Sequence, residues 1–329
     1  MLNSDLPRVG VVIPCFRVAR QILGVIAGLG PEVTHIYVVD DACPEATADL
    51  VTAQCTDQRV RVLRHTQNQG VGAAVVSGYR AALADDCDCV VKIDGDGQMD
   101  PALIPAFIAP ILAGEADYTK GNRFFQLEDL AAMPRIRLLG NAVLSFFSKF
   151  SSGYYRLFDP TNGYTAIGLT ALQLLPLDKL ARRYFFESDL LFRLGTIGAV
   201  VRDIPMRAIY GDEVSGLKVG RILLPFLLGH SRNLAKRIGY NYFLRDFSVA
   251  SLELLLSLPL LLFGLWQGVS GWLHSMQTGQ LASSGTVMLA ALPIILGTQL
   301  LLSFLNYDFQ NSPRIPLGPR SRNRTYNRT

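Results

Sequence analysis

Asp94-Gly95-Asp96-Gly97-Gln98 follows an apolar run, Val90 to Ile93, and places two carboxylates one residue apart. Carboxylates so spaced at a strand end can face one hard cation, while the glycines between them let a diphosphate approach the backbone. Mg²⁺ or Mn²⁺ held this way has an incomplete protein shell and takes further oxygens from substrate phosphates. The pattern is not an EF-hand loop, because the later ligands and the closing Glu are missing. Asp40-Asp41 closes another apolar run; such carboxylates either accept hydrogen bonds from a nucleotide's ribose or base or cap the next helix. Asn68-Gln69-Gly70-Val71-Gly72-Ala73-Ala74 is a Gly-rich turn that admits close backbone approach. It lacks the Lys of a P-loop and is not GxGxxG, so it names no ligand. Glu187-Ser188-Asp189, after Tyr184-Phe185-Phe186, reads either as the wall of an acceptor site or as the first turn of a helix.

The elements that must position these residues are legible as alternation. Val9 to Ile13, Ile36 to Val39, Val60 to Leu63 and Val90 to Ile93 are Val/Ile-rich runs. Helix-period stretches from about Val18, at Glu45 to Gln54, at Gly72 to Leu83 and at Pro101 to Leu112 follow them. The pattern predicts βαβ units and an α/β fold with a largely parallel sheet. Ligands of such sheets bind at the carboxyl ends of the strands, and Pro14-Cys15-Phe16, Asp40-Asp41, His65 to Gly72 and Asp94 to Asp96 all fall there.

The net charge of +4 over 329 residues conceals a division. Residues 1–213 carry 20 Lys+Arg against 24 Asp+Glu, whereas residues 214–329 carry 11 against 3. Between Glu253 and Asp308 lie 54 residues without a charged side chain. Two apolar stretches inside that gap, Ser248 to Trp272 and Thr286 to Leu305, are long enough to cross a hydrocarbon core of about 30 Å as helices. Pro259 and Pro293 are tolerated in such spans. Glu253 lies about one turn inside the first, facing a neighbouring helix or the interface. The loop from His274 to Gly285 has no Lys or Arg while both flanks are basic, so the positive-inside rule puts both termini in the cytoplasm. Residues 214–245 carry six Lys+Arg and no acid among apolar side chains, the pattern of amphipathic helix on an anionic membrane face rather than of a nucleic-acid patch. The expected organisation is a cytosolic catalytic domain over 1–213, amphipathic helices over 214–247, two spans over 248–307 and a basic tail over 308–329. No secretory signal precedes Val9, and five cysteines without a CxxC pair suit reduced thiols in the cytosol.

Pro14-Cys15-Phe16, Val39-Asp40-Asp41, Asn68 to Gly72, Asp94 to Gln98, Gly121-Asn122-Arg123-Phe124 and Asp159-Pro160-Thr161-Asn162-Gly163-Tyr164 stand in the order and spacing of family-two glycosyltransferases. The chain resembles the polyprenyl-phosphate glycosyltransferases, which include dolichol-phosphate mannose synthases and bacterial two-span enzymes that glucosylate undecaprenyl phosphate. The resemblance implies a GT-A fold that transfers a hexose from a nucleotide diphosphate sugar to a polyprenyl phosphate at the cytosolic membrane face. UDP-glucose is the first expected donor and GDP-mannose the second. By position, Pro14, Phe16, Asp40, Asp41, Asn68, Gly70, Asp94, Gly95 and Asp96 would hold the nucleotide sugar. Asp94, Asp96 and Gln98 would surround Mg²⁺ or Mn²⁺. Arg123 and an Arg of the Arg135/Arg137 pair would meet the acceptor phosphate, and Asp96 and Asp159 would carry the reaction centre. Phe16 is followed by Arg17-Val18 where many members have Asn-Glu, so no Glu role in base binding transfers.

Physical chemistry agrees with this reading. A lipid phosphate monoester has its second pKa near about 6, so its attacking oxygen is already ionised and a strong general base is unnecessary. Direct displacement at the anomeric carbon would invert configuration. A polysaccharide synthase is disfavoured because Trp266 and Trp272 form no QxxRW motif. A nucleotidyltransferase gives no reason for two spans, and intact Asp94, Asp96 and Gln98 speak against a catalytically dead nucleotide-sugar-binding scaffold. Gly264, Gly268 and Gly271 suit helix association in the membrane and hence a homo-oligomer.

Overall fold

The four Val/Ile-rich runs form four parallel strands at the centre and one edge of a seven-stranded sheet. In the computed structural model, which describes residues 6–124, 135–207 and 219–318, β1 (Val9–Cys15) is buried along its whole length. It lies between β2 (His35–Asp40) and β4 (Cys89–Lys92), and β3 (Val60–Arg64) pairs with the outer side of β2. Strands covered on both faces carry continuous apolar runs rather than alternating ones. The first crossovers contain α1 (Ile22–Ala27), α2 (Thr47–Gln54) and α3 (Val71–Ala84), and α4 (Ile104–Leu112) follows β4.

Three further strands complete the order β3-β2-β1-β4-β6-β5-β7: β5 (Tyr118–Asn122), β6 (Thr165–Gly168) and β7 (Val201–Pro205). β6 is antiparallel to β4 and to β5. An antiparallel strand starts where its parallel neighbours end, so the Asp159–Tyr164 segment arrives at the same edge as the ends of β4 and β5. The register sets Lys92 and Lys120 on either side of Thr165.

Helices cover both faces, as the α/β expectation required. Ile22, Val25, Ile104 and Phe107 pack on one face. On the other, Ala74, Val75 and Tyr79 pack with residues of α6 (Leu169–Leu174) and α7 (Phe186–Ile197). Cys87 and Cys89 lie in opposite core layers, all five cysteines are free thiols, and the described residues contain no group of three His, Cys, Asp or Glu able to hold a metal. The remaining helix of this region, α5 (Arg135–Ser152), packs against α7.

The chain divides into two units, Met1–Leu234 with Pro313–Thr329, and Ala235–Ser312. In the first, the irregular segment after the last helix packs on the sheet domain: the Leu317 N–H donates to both Asp117 oxygens at 2.9 and 3.1 Å, and the Thr170 hydroxyl donates to Gly318 O at 2.9 Å. The second holds the end of α8 (Val219–Gly239), α9 (Val249–Thr278) and α10 (Ser284–Gln310). The last two, of 30 and 27 residues with mean hydropathy 1.9 and 2.1, are long and apolar enough to cross a membrane. They pack closely on each other. A Cβ at Gly264 would lie 2.7 Å from Ile294 Cγ1, and one at Gly297 2.9 Å from Leu261 Cγ. Glu253 faces the partner helix, where it accepts from Ser303 Oγ at 2.7 Å. Arg237 and Asp308 form a buried two-pronged pair at 2.7 and 2.8 Å.

Candidate active site

The loops after β1, β2 and β3 are held together by the Asp40-Asp41 pair. Asp40 accepts from Cys43 N at 2.7 Å and Ala48 N at 2.8 Å, so it supplies the N-terminal turn of α2 with the acceptor that its own cap position, Ala46, lacks. Asp41 is 2 % exposed and accepts from Gln69 N at 2.8 Å, Gly70 N at 2.7 Å and His65 Nδ1 at 2.7 Å. Both carboxylates therefore organise the loops; for Asp40 the capping alternative is the one the structure displays. Asn68 closes the same loop by donating to Asp41 O at 3.4 Å, and Gly70 takes the left-handed φ of +98° that starts α3. Pro14 is buried within β1, while Phe16 is exposed at its tip under the Arg17 guanidinium, 5.4 Å from the ring centroid. Arg17 sits at φ +61°, with its N–H on Cys43 Sγ at 3.0 Å.

At the end of β4 the structure adds a residue that motif reading passed over. Lys92, 2 % exposed, places its ammonium 2.7 Å from Asp94 Oδ1 and 3.5 Å from Glu187 Oε1. Burial alone would lower the Lys92 pKa, but the two carboxylates outweigh it and hold the ammonium above its ordinary value. Asp94 and Asp96 are half-buried, and Asp96 Oδ1 accepts from Gln98 N at 3.0 Å across the left-handed Gly97. A side chain at Gly163 would collide with the Lys92 ammonium and approach Asp94 Oδ2 to 2.8 Å, so that glycine keeps the flank of Asp94 open. Oxygen donors from two carboxylates and one amide, with an open flank, fit Mg²⁺ or Mn²⁺ completed by phosphate oxygens.

At the end of β5, Arg123 and Asp159 meet. Asp159 is wholly buried and accepts from Arg123 Nε at 2.7 Å and Nη2 at 3.2 Å, the fork geometry that fixes a guanidinium plane. Lys120, fully buried beneath them, donates to Asn162 O. Burial pushes its pKa down to about 8, against the opposing pull of Asp159 and Glu187. Arg135 and Arg137 open α5, but their side chains lie outside the described residues. Glu187 faces Lys92, whereas Asp189 ties α7 to its surroundings, accepting from Ala181 N, Arg193 Nε and Asn233 Nδ2 at 3.0, 2.9 and 3.1 Å. The site thus alternates in sign: Asp94, Lys92, Glu187, Lys120, Asp159, Arg123. A lysine inside an otherwise apolar strand run, Val90-Val91-Lys92-Ile93, is the sequence signal that points to this row.

A mixed, mostly parallel sheet with charged side chains gathered at the carboxyl ends of its central strands defines a GT-A-like fold. Residues 10–174 match glycosyl transferase family 2, and the chain belongs to that family and is a glycosyltransferase. It is 28% identical over 226 residues to the undecaprenyl-phosphate mannosyltransferase of Micrococcus luteus, covering 66% of this chain and 91% of that one. With the polyprenol monophosphomannose synthase of Mycolicibacterium smegmatis it shares 30% identity over 203 residues, 60% and 75% of the two chains. Its fold is similar to that of Mycobacterium tuberculosis glucosyl-3-phosphoglycerate synthase in complex with Mn²⁺, UDP-glucose and phosphoglyceric acid. There the TM-score is 0.51 at 22% identity, covering 68% of this chain and 79% of that one.

Proposed function

We propose that this glycosyltransferase moves a hexose from a nucleotide diphosphate sugar, UDP-glucose first, onto a polyprenyl phosphate at the cytosolic membrane face, with inversion. The observation that carries this reading is the pairing, within one row of side chains, of the Asp94–Asp96 donor set with the Arg123–Asp159 fork. The relatives' named acceptors and the two apolar helices support the lipid. A divalent cation bound at Asp94, Asp96 and Gln98 would stabilise charge on the leaving diphosphate.

The chain's own residues do the rest. Lys92 holds Asp94 in one orientation, and Asp159 fixes the plane of Arg123 so that it can orient a doubly charged acceptor phosphate. Because that phosphate is already ionised near neutral pH, no residue has to remove a proton before attack. The loops pinned by Asp40 and Asp41, with Pro14, Phe16, Asn68, Gly70 and Gly95, form the nucleotide side, and Arg135 and Arg137 join Arg123 on the acceptor side. Two spans with both termini cytoplasmic keep the active site beside its lipid; Gly264, Gly268 and Gly271, expected to join copies, instead face the second span of the same chain, so they give no support to a homo-oligomer.

GDP-mannose is the second donor reading, favoured by the mannosyl transferred by two of the relatives according to their names. The test is a donor panel. Membranes containing the protein, a divalent cation and a polyprenyl phosphate receive each labelled nucleotide sugar, and the organic extract is counted. Label from UDP-glucose supports the first reading, label from GDP-mannose alone the second, and label from no donor overturns both.

A further inference from the structure

Beside the Arg123–Asp159 fork stands another acid, Asp203, in the middle of β7. Parallel pairing sets Asp203 next to Lys120, and Pro205 next to Asn122. Side chains two apart on a strand share a face, so Lys120, Asn122 and Asp203 lie on one side of the β5–β7 pair.

Both hydrogen bonds that Asp203 accepts go to one oxygen. The Phe158 N–H donates to Oδ2 at 3.0 Å, and Asn122 Nδ2 donates to the same atom at 3.3 Å. A carboxylate only accepts, so it obliges Asn122 to turn its Nδ2 inward. The other end of that amide, Oδ1, then accepts from Phe124 N at 2.9 Å. Asn122 is buried, which leaves it no water to exchange for these partners.

The two backbone amides reached in this way flank the fork. Phe158 N stands one residue before Asp159, and Phe124 N one residue after Arg123. One carboxylate therefore fixes the chain on both sides of the pair, Asp159 directly and Arg123 through Asn122. Stability does not account for an acid at this place. Asp203 Oδ1 is buried, and among the described residues no group donates to it, which is unfavourable. Burial raises the Asp203 pKa, and the Phe158 N–H and Lys120 oppose that rise.

We propose that Asp203 is a positioning residue for the acceptor phosphate, holding the Arg123–Asp159 fork in place through the Phe158 and Phe124 amides. The proposal rests on the reading of Arg123 as the residue that meets the acceptor phosphate, and it names the part of the fold that aims it.

Kinetics and hydrogen exchange on the purified full chain test it together. Asp203→Ala should raise the acceptor KM about tenfold with the donor KM little changed, and should speed amide exchange about tenfold over residues 122–124 and 157–159. Asp203→Asn keeps an oxygen that can accept both bonds and should retain most of the acceptor affinity and of the protection. In an Arg123→Ala background, Asp203→Ala should add nothing to the acceptor KM, because the group it aims is gone. Should Asp203→Ala not fold, Asn122→Ala takes its place: it cuts the branch to Phe124 alone, and should raise the acceptor KM with faster exchange confined to residues 122–124. Equal losses of donor and acceptor affinity, an additive effect in the Arg123→Ala background, unchanged exchange, or an asparagine variant no better than the alanine one overturns the proposal. If Arg123→Ala itself leaves the acceptor KM unchanged, the acceptor reading fails; if it raises that KM and Asp203→Ala does not, this proposal alone fails.

Discussion

Lys92 Nζ lies 2.7 Å from Asp94 Oδ1, so the first carboxylate of the Asp94–Asp96 pair is already held by a buried cation. Half of that carboxylate is thereby fixed, leaving the other oxygen beside the open flank at Gly163. Lys92→Met would leave Asp94 and Glu187 facing each other without compensation. Breaking a buried pair costs about 3–5 kcal/mol, and the 30% exposure of Asp94 reduces this to about 2 kcal/mol. A misplacement of this kind should also slow transfer about 100-fold. Thermal unfolding and initial transfer rates on purified protein check both, and Gly163→Ala should reproduce the rate loss.

Arg123 and Asp159 act as one fork. Asp159→Asn removes the charge that orients the guanidinium and should raise the KM for acceptor phosphate about tenfold or more, with the donor KM little changed. Arg123→Lys should be nearly as impaired as Arg123→Ala, because a point charge cannot reproduce a bidentate plane. Equal losses of donor and acceptor affinity would contradict this division of the site.

Gly70 is required by both conformation and space. At φ +98°, and with Arg182 O only 2.5 Å from where a Cβ would stand, Gly70→Ala should destabilise the protein by about 1–3 kcal/mol. The comparison is Gly114→Ala, at φ +70° with nothing within 4 Å, where a positive φ is unaccompanied by collision, and it should cost less than Gly70→Ala. Denaturant midpoints of the two variants check that order.

His230 supplies a pH dependence. It is 2 % exposed among Phe147, Phe185 and Phe226, its Nδ1 is 2.8 Å from Ser151 Oγ, and burial pushes its pKa down to about 4. Between about pH 6.5 and 4 the unfolded chain binds a proton that the folded one does not, so stability falls as pH falls through that window. The loss should approach about 3 kcal/mol, and His230→Phe should flatten it. Unfolding midpoints measured from pH 7 to 4 give the slope.

Much of the fold was legible because its centre is apolar on both faces. β1 to β4 are found within about two residues of the Val/Ile runs that announce them. β5, Tyr-Thr-Lys-Gly-Asn, carries no such run, and β6 has only four residues, so the antiparallel insertion left no local mark. In the site, Asp94 and Asp96 stood out as charged residues at a strand end, whereas Arg123 and Asp159 were named by the family resemblance alone. Lys92 and Lys120 did not stand out, since a lysine in a strand reads as surface until its partners are known. Lys92 has Asp94 two residues on, but its second partner, Glu187, and the Lys120 partner, Asn162, lie 95 and 42 residues away. Asp40 and Asp41 were visible, but their backbone partners depend on loop geometry that spacing does not encode.

The most direct measurement compares wild type with Asp96→Asn for label passed from a nucleotide diphosphate sugar into organic-extractable lipid, with polyprenyl phosphate present or withheld. Transfer should require both the lipid phosphate and Asp96, falling at least about 100-fold in the variant. Lipid label formed equally well by Asp96→Asn, or by wild type without polyprenyl phosphate, would contradict a metal-assisted transfer to that acceptor.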